Sequence, residues 1–303
     1  GGLRYERYEG SSASDAVAAV TGAVTPGARF HNSDDLLSYR LGVVYKPAEN
    51  GSIYVAYGNS ETPSQATVNG SCFSAGRSGG ASTDNCNVDP EESVNYEIGT
   101  KWDLLDERLS LTAAIFRNDR TNYKVADLNP GAPVVEQTLD GEARVDGVAL
   151  GASGLITDKW QVFANYTYLD SEVLQGVSDN VGAATGDPTK GNALPVTPEH
   201  AMSLWTTYDL PHRFQVGYGL TTQSQQYLTS NDNAPTGSGY TIHRAMLAYK
   251  VDRNLNLRLN VNNLFDKQYL TRYRTTSSMT ATSVVWATPG DGRAAILTAD
   301  YSF

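Results

Sequence analysis

From Leu255 to Asn262 apolar and polar residues alternate without a slip. Leu255, Leu257, Leu259 and Val261 fall on one side of an extended chain, and Asn256, Arg258, Asn260 and Asn262 on the other. A period of two with this contrast is the mark of a strand that meets an apolar medium on one face and a wet one on the other. The same division runs through Trp160–Tyr168, where Trp160, Val162, Ala164, Tyr166 and Tyr168 oppose Gln161, Asn165 and Thr167. It recurs in Phe214, Val216, Tyr218 and Leu220, and again in Ala295, Leu297, Ala299 and Tyr301. The segment with Met202, Leu204 and Trp205 does not divide cleanly, so its facing stays open at this level.

Extending this reading predicts about twelve strands and no helix. They cover residues 2–9, 35–47, 51–61, 91–104, 108–122, 142–156, 159–171, 199–210, 213–226, 239–251, 254–263 and 292–303. Short connections (47–50, 105–107, 157–158, 211–212, 252–253) strictly take turns with long ones rich in Gly, Ser, Thr, Asn and Asp. In an up-and-down antiparallel sheet alternate connections lie at the same end, so every long loop is on one side. Outer-membrane barrels have this asymmetry. A secreted soluble β-sandwich or lectin has no reason to produce it so consistently, although its strands alternate in the same way.

Composition narrows the classes further. The 303 residues are 40% hydrophobic and 18% charged, with a formal charge of −10 and 18 tyrosines against 7 phenylalanines. No run approaches the roughly 18 apolar residues of a membrane helix, which leaves barrel strands of about 9–11 residues as the way to span a bilayer. The acidic balance argues against a nucleic-acid partner, and the tyrosine excess suits interfacial girdles. The chain opens inside a strand and reads as the C-terminal part of a longer polypeptide. Cys72 and Cys86 share one Gly/Ser/Asn-rich loop. Their spacing favours a local disulfide in an oxidising compartment, worth on the order of 3 kcal/mol; two free thiols are the alternative. His31, His200, His212 and His243 are scattered, and no nucleophile elbow marks a catalytic serine, so neither a resident metal nor an enzyme is expected. Asp127, Asp140, Glu142 and Asp146 read as solvated loop and lumen carboxylates.

Several motifs carry a family resemblance. Asn263-Leu-Phe-Asp-Lys-Gln-Tyr269 resembles the Asn-Leu-Phe-Asp-x-x-Tyr signature of TonB-dependent outer-membrane receptors. Pro90-Glu-Glu-Ser-Val-Asn-Tyr-Glu-Ile-Gly-Thr-Lys-Trp102 is similar to another strand of that family, and Tyr301-Ser-Phe303 to its aromatic C-terminus. Leu194-Pro-Val-Thr-Pro-Glu-His200 looks like the siderophore receptors, closest to the ferric-catecholate subgroup. The resemblance implies an all-β, antiparallel up-and-down transmembrane β-barrel, of which residues 1–303 supply about twelve C-terminal strands out of twenty-two. The N-terminal plug domain and TonB box of that family are absent from this chain.

The implied function is active import of a ferric siderophore through the bacterial outer membrane, powered by the TonB–ExbB–ExbD complex. A passive porin-like channel is the alternative. The iron complex would be the cargo, with no cofactor of the protein's own. A catecholate complex is anionic and aromatic, so it needs cations and flat rings. The candidates are Arg77, Arg120, Arg144, Tyr227, Arg272, Tyr273 and Arg274, all in long loops or at their junctions with strands. Asn256, Arg258, Asn260 and Asn262 would face the plug across the lumen, and the opposite face would meet membrane lipid.

Overall fold

The computed structural model describes residues 1–13, 15–26, 29–63, 89–127, 136–231, 234–275 and 285–302. Cys72, Cys86, Arg77 and Phe303 lie outside the described residues, as does the side chain of Arg274.

In chain order the elements are β1 (Gly2–Ala13), β2 (Ala16–Val17), β3 (Val24–Thr25), β4 (Arg29–Ala48), β5 (Gly51–Thr62) and β6 (Glu91–Leu104). Next come β7 (Leu109–Asp127), β8 (Glu136–Thr157), β9 (Trp160–Gln175), α1 (Asp179–Thr185), β10 (His200–Asp209) and β11 (Phe214–Gln223). The last are β12 (Gln226–Tyr227), β13 (Thr236–Gly237), β14 (Tyr240–Lys250), β15 (Leu255–Asn262), β16 (Leu270–Thr275), β17 (Val285–Pro289) and β18 (Ala294–Tyr301). Twelve of the strands form one sheet in the order β1-β4-β5-β6-β7-β8-β9-β10-β11-β14-β15-β18, every neighbour antiparallel. The remaining six pair two by two as small hairpins within the long connections. Among the described residues neither β1 nor β18 has a second neighbour.

Register settles the facing of every long strand, because directly paired residues share a side. Val43 of β4 pairs with Val55, Val55 with Ile98, Ile98 with Ile115 and Ile115 with Val148. At the far end Val216 pairs with Leu247, Leu247 with Leu259 and Leu259 with Leu297. These apolar rows are uncovered: Val43 is 72% exposed, Ile115 57% and Leu297 71%. A sandwich would bury such a face under a second sheet, whereas here the long strands all belong to one. The medium that covers this face is hydrocarbon, as in a membrane barrel. Asn256, Arg258, Asn260 and Asn262 stand on the opposite, polar side, paired with Asp300, Thr298, Ile296 and Ala294. Register also resolves the strand left open by its sequence. Met202 and Leu204 share the apolar side with Tyr166 and Ala164, while Trp205 lies on the polar side, its ring against Gly217 and Gly219.

Aromatic residues mark both borders of the apolar band. Tyr45, Trp102, Trp160 and Tyr249 sit near the short turns, and Tyr39, Tyr96, Tyr166 and His243 lie six residues away on the same strands and the same face. Along the upper border Tyr57 packs between Tyr39 and Tyr96 at centroid distances of 5.8 and 5.0 Å. Amphipathic rings in this position settle at the membrane–water boundary.

The short turns match the sequence reading to within a residue or two. Several strands run further than expected at their long-loop ends, β7 continuing to Asp127 and β8 beginning at Glu136, whereas β11 stops at Gln223, short of the expected 226. Above the membrane both faces of a hairpin meet water, so the ladder goes on after the alternation has vanished. The seven-residue helix α1 was also not expected, being too short to show a period.

The Asn263–Tyr269 motif is a turn lock. Asn263 is 3% exposed and holds a left-handed backbone (φ 48°). Its side-chain amide donates to the carbonyls of Lys267 and Asp291, both at 2.9 Å, and its Oδ1 accepts from the Lys267 N–H at 2.8 Å. Asp266 accepts from the Arg293 N–H at 2.9 Å. The motif thus joins the end of β15 to the start of β18.

Candidate functional site

Where β7, β8 and β9 rise above the membrane band, their polar side and the following loop enclose a cleft of about 680 Å³. Arg120, Tyr123 and Lys124 of β7 contribute its charge and its ring, Val145 and Val173 its apolar wall, and Leu194 the loop side. Two bulges, between Arg120 and Tyr123 and between Tyr123 and Val125, break the strict alternation of β7. They bring three nearly consecutive side chains into one cleft, a use to which bulges are well suited.

The Arg120 guanidinium carbon sits 5.4 Å from the centroid of the Tyr123 ring, within cation–π range. Its Nε is 2.5 Å from Glu91 Oε1. Tyr123 donates its hydroxyl to the Gln175 carbonyl at 2.9 Å. Burial, with Asp187 and Glu142 adding to it, pushes the phenol above its ordinary range against the pull of Arg120. Burial lowers the Lys124 ammonium below the usual lysine value. Charge held in a partly dehydrated place interacts more strongly with an arriving anion than charge in open water.

Asp187 braces the loop wall. Its carboxylate accepts from the Gly176 N–H at 2.7 Å and from the N–H and hydroxyl of Thr189 at 2.8 and 2.7 Å. Burial raises this group, and the bonds from the Gly176 N–H, the Thr189 hydroxyl and the Thr189 and Lys190 N–H groups outweigh it, so the carboxyl lies below its ordinary range. The loop is stitched to its neighbour by Asn192, which donates to the Ser230 carbonyl at 2.9 Å, and by the Val196 N–H, which donates to the Tyr227 carbonyl at 2.8 Å.

The sequence-derived candidates do not converge on one point. Arg120 lies in the cleft. Arg144 stands on the other side of the sheet, above the upper aromatic border, and pairs with Asp119 at 2.6 Å. Asp146 also departs from the lumen placement expected of it, because its register puts it on the outer side, where Arg117 holds it with two bonds of 2.7 and 2.8 Å. Tyr227 is in the β12–β13 hairpin, and the Tyr273 ring rests on Gly237 of that hairpin, so Tyr227, Arg272 and Tyr273 share a neighbouring loop cluster. Tyr123, Lys124, Glu91 and Asp187 were not among the candidates. The run Arg120-Thr-Asn-Tyr-Lys124, two cations flanking a ring at a strand end, is the signal that could have found two of them. Among the described residues no group of His, Cys, Asp and Glu could hold a metal ion.

The family model described as TonB dependent receptor-like, beta-barrel matches residues 1–264. The probable TonB-dependent siderophore receptor PiuA of Acinetobacter baumannii is 38% identical over the whole chain, which spans 38% of that protein. The catecholate siderophore receptor Fiu of Escherichia coli K12 is 32% identical over the whole chain, which spans 39% of it. The crystal structure of the A. baumannii receptor PiuA superimposes on 99% of the chain with a TM-score of 0.78 at 34% identity, the chain covering 40% of that structure. The closed form of the ferric-catecholate import receptor Fiu from E. coli K12 gives 0.77 over 99% of the chain, at 29% identity and 42% coverage of that structure. The chain thus spans about two fifths of the length of these relatives. Its uncovered apolar face, its polar lumen side and these matches agree: the chain belongs to the TonB-dependent receptor β-barrel family and forms part of the wall of an outer-membrane barrel.

Proposed function

We propose that the protein containing this chain imports a ferric siderophore, of the catecholate type, across the outer membrane with energy from the TonB–ExbB–ExbD complex. The observation that carries this reading is the Arg120–Tyr123–Lys124 cleft, which lies on the polar side of β7, β8 and β9 against the β9–β10 loop. Cations beside an aromatic face are what an anionic catechol complex requires. The 38% identity to a siderophore receptor supports the same class. In this reading the loops capture the complex outside, the plug domain fills the lumen against Asn256, Arg258, Asn260 and Asn262, and outer-membrane lipid covers the apolar face. Those four residues are polar groups that a filled lumen must satisfy. The iron complex is the cargo and needs no cofactor of the receptor.

The test is uptake of iron-55 supplied as a panel of ferric siderophores to a receptor-deficient host carrying the full-length gene, with and without a protonophore. The expected outcome is protonophore-sensitive uptake of a ferric catecholate. Uptake that ignores the protonophore would identify a passive channel instead, and no uptake of any ferric complex would remove the siderophore assignment.

A further inference from the structure

Arg120 is the cation best placed to meet a ligand in the cleft, and it is already occupied. Its partner Glu91 is 13% exposed at the side chain, while Arg120 is 52% exposed. The carboxylate is therefore set in the wall and the guanidinium stands in front of it, its other side open to the cleft. Glu91 has little freedom to leave. Its main chain is paired to Thr62 across β5, and the Asn122 side-chain amide donates to the preceding Pro90 carbonyl at 3.1 Å. Next along β6, Ser93 and Asn118 exchange side-chain hydrogen bonds at 3.0 and 3.2 Å, which pins β6 to β7 below the pair. Arg120 has a second resting contact, the Tyr123 ring, and that contact leaves its N–H donors free to re-aim.

We propose that Glu91 is a built-in competitor for the ligand: a fixed carboxylate that neutralises Arg120 in the empty receptor and that an anionic iron complex must outbid. This rests on the siderophore reading of the cleft and adds a selectivity rule to it. A neutral or weakly charged complex gains too little to break the Arg120–Glu91 pair. A multiply charged complex takes the guanidinium while the Tyr123 ring keeps it in place. Removing Glu91 therefore strengthens binding of highly charged complexes and does so through Arg120 alone.

The experiment uses the full-length receptor in detergent, with binding followed by tryptophan quenching. The ligands are a trianionic ferric tris-catecholate and a neutral ferric tris-hydroxamate. The variants are Glu91→Gln, Arg120→Gln, the pair together, and Asp119→Asn, which removes one negative charge from the outer side of the sheet. All are checked for heat-modifiable migration to show that they fold. Glu91→Gln is expected to tighten the tris-catecholate about three- to tenfold at low salt, to leave the hydroxamate unchanged, and to have no effect once Arg120 is Gln. Asp119→Asn is expected to leave both affinities as they are.

An unchanged or weaker Glu91→Gln would overturn the proposal. So would the same gain in the Arg120→Gln background or from Asp119→Asn, since either would show only a change in the general field. Iron-55 uptake by the same strains separates the two readings. Wild-type uptake of a ferric complex without binding of the tris-catecholate would sink the competitor role and leave transport standing. Neither binding nor uptake by the wild type would sink both.

Discussion

At the residue scale the family motif at Asn263 is explained by one side chain that does three jobs. It satisfies two carbonyls, accepts one N–H, and tolerates a left-handed backbone that most residues avoid. Asn263→Ala leaves those partly buried backbone groups unpaired and adds backbone strain, at a cost of about 1–3 kcal/mol. Asn263→Gly keeps the backbone and loses only the side-chain bonds, so it belongs between the wild type and Ala. The temperature at which the full-length barrel loses its heat-modifiable migration ranks the three. Equal stability of Ala and wild type would show that the lock is dispensable. Gly154 is a second position of this kind, with a φ of 137° and the Arg108 carbonyl where a Cβ would stand, beside the short turn between β8 and β9.

At the scale of elements, the loop between β9 and β10 that walls the cleft should respond to pH through Asp187. Asp187 is held below its ordinary range, so the bonds it makes favour the folded loop at neutral pH. That contribution is complete above the ordinary aspartate value of about 3.9 and fades as the pH falls through the lower folded value. The protection factor of the Gly176 amide, which donates to Asp187, should hold from neutrality down to about pH 4 and fall below it once the intrinsic pH dependence of exchange is divided out. Asp187→Ala should remove the protection at every pH. Protection of Gly176 that persists in the Ala variant would assign the order of this loop to Asn192 and Val196 instead.

The same loop shows where sequence reasoning stops. The facing of β9, β15 and β18 was legible because each lies between hydrocarbon and water, a contrast that writes itself into alternate residues. Above the band β7 and β8 meet water on both faces, so the extension of β7 past Asn122 and of β8 ahead of Glu142 left no such trace. The cleft depends on which segments cross over Arg120, and Leu194 arrives there through a connection without periodicity. Asp146 was misplaced for a related reason, since charge suggests the lumen until register puts it on the outer side, paired with Arg117 in the row of Tyr96.

For the molecule as a whole, the two faces of the sheet obey different rules. Ile115→Arg, at the centre of the apolar band, should cost about 2–4 kcal/mol and reduce the amount of assembled receptor in the outer membrane. Asn165→Lys, on the polar side of β9, should leave assembly near normal. Assembly lost equally in both would contradict the assignment of faces. The aromatic borders add a dimension to this picture. Six residues separate the paired rings on β4, β6, β9 and β14, about 20 Å along a strand and less along the membrane normal once strands tilt. A typical bilayer has a hydrocarbon core of roughly 30 Å. The wall is therefore a gauge of thickness: it matches a thin membrane and puts any thicker one under compression around its waist, so the protein's address is partly written in its height.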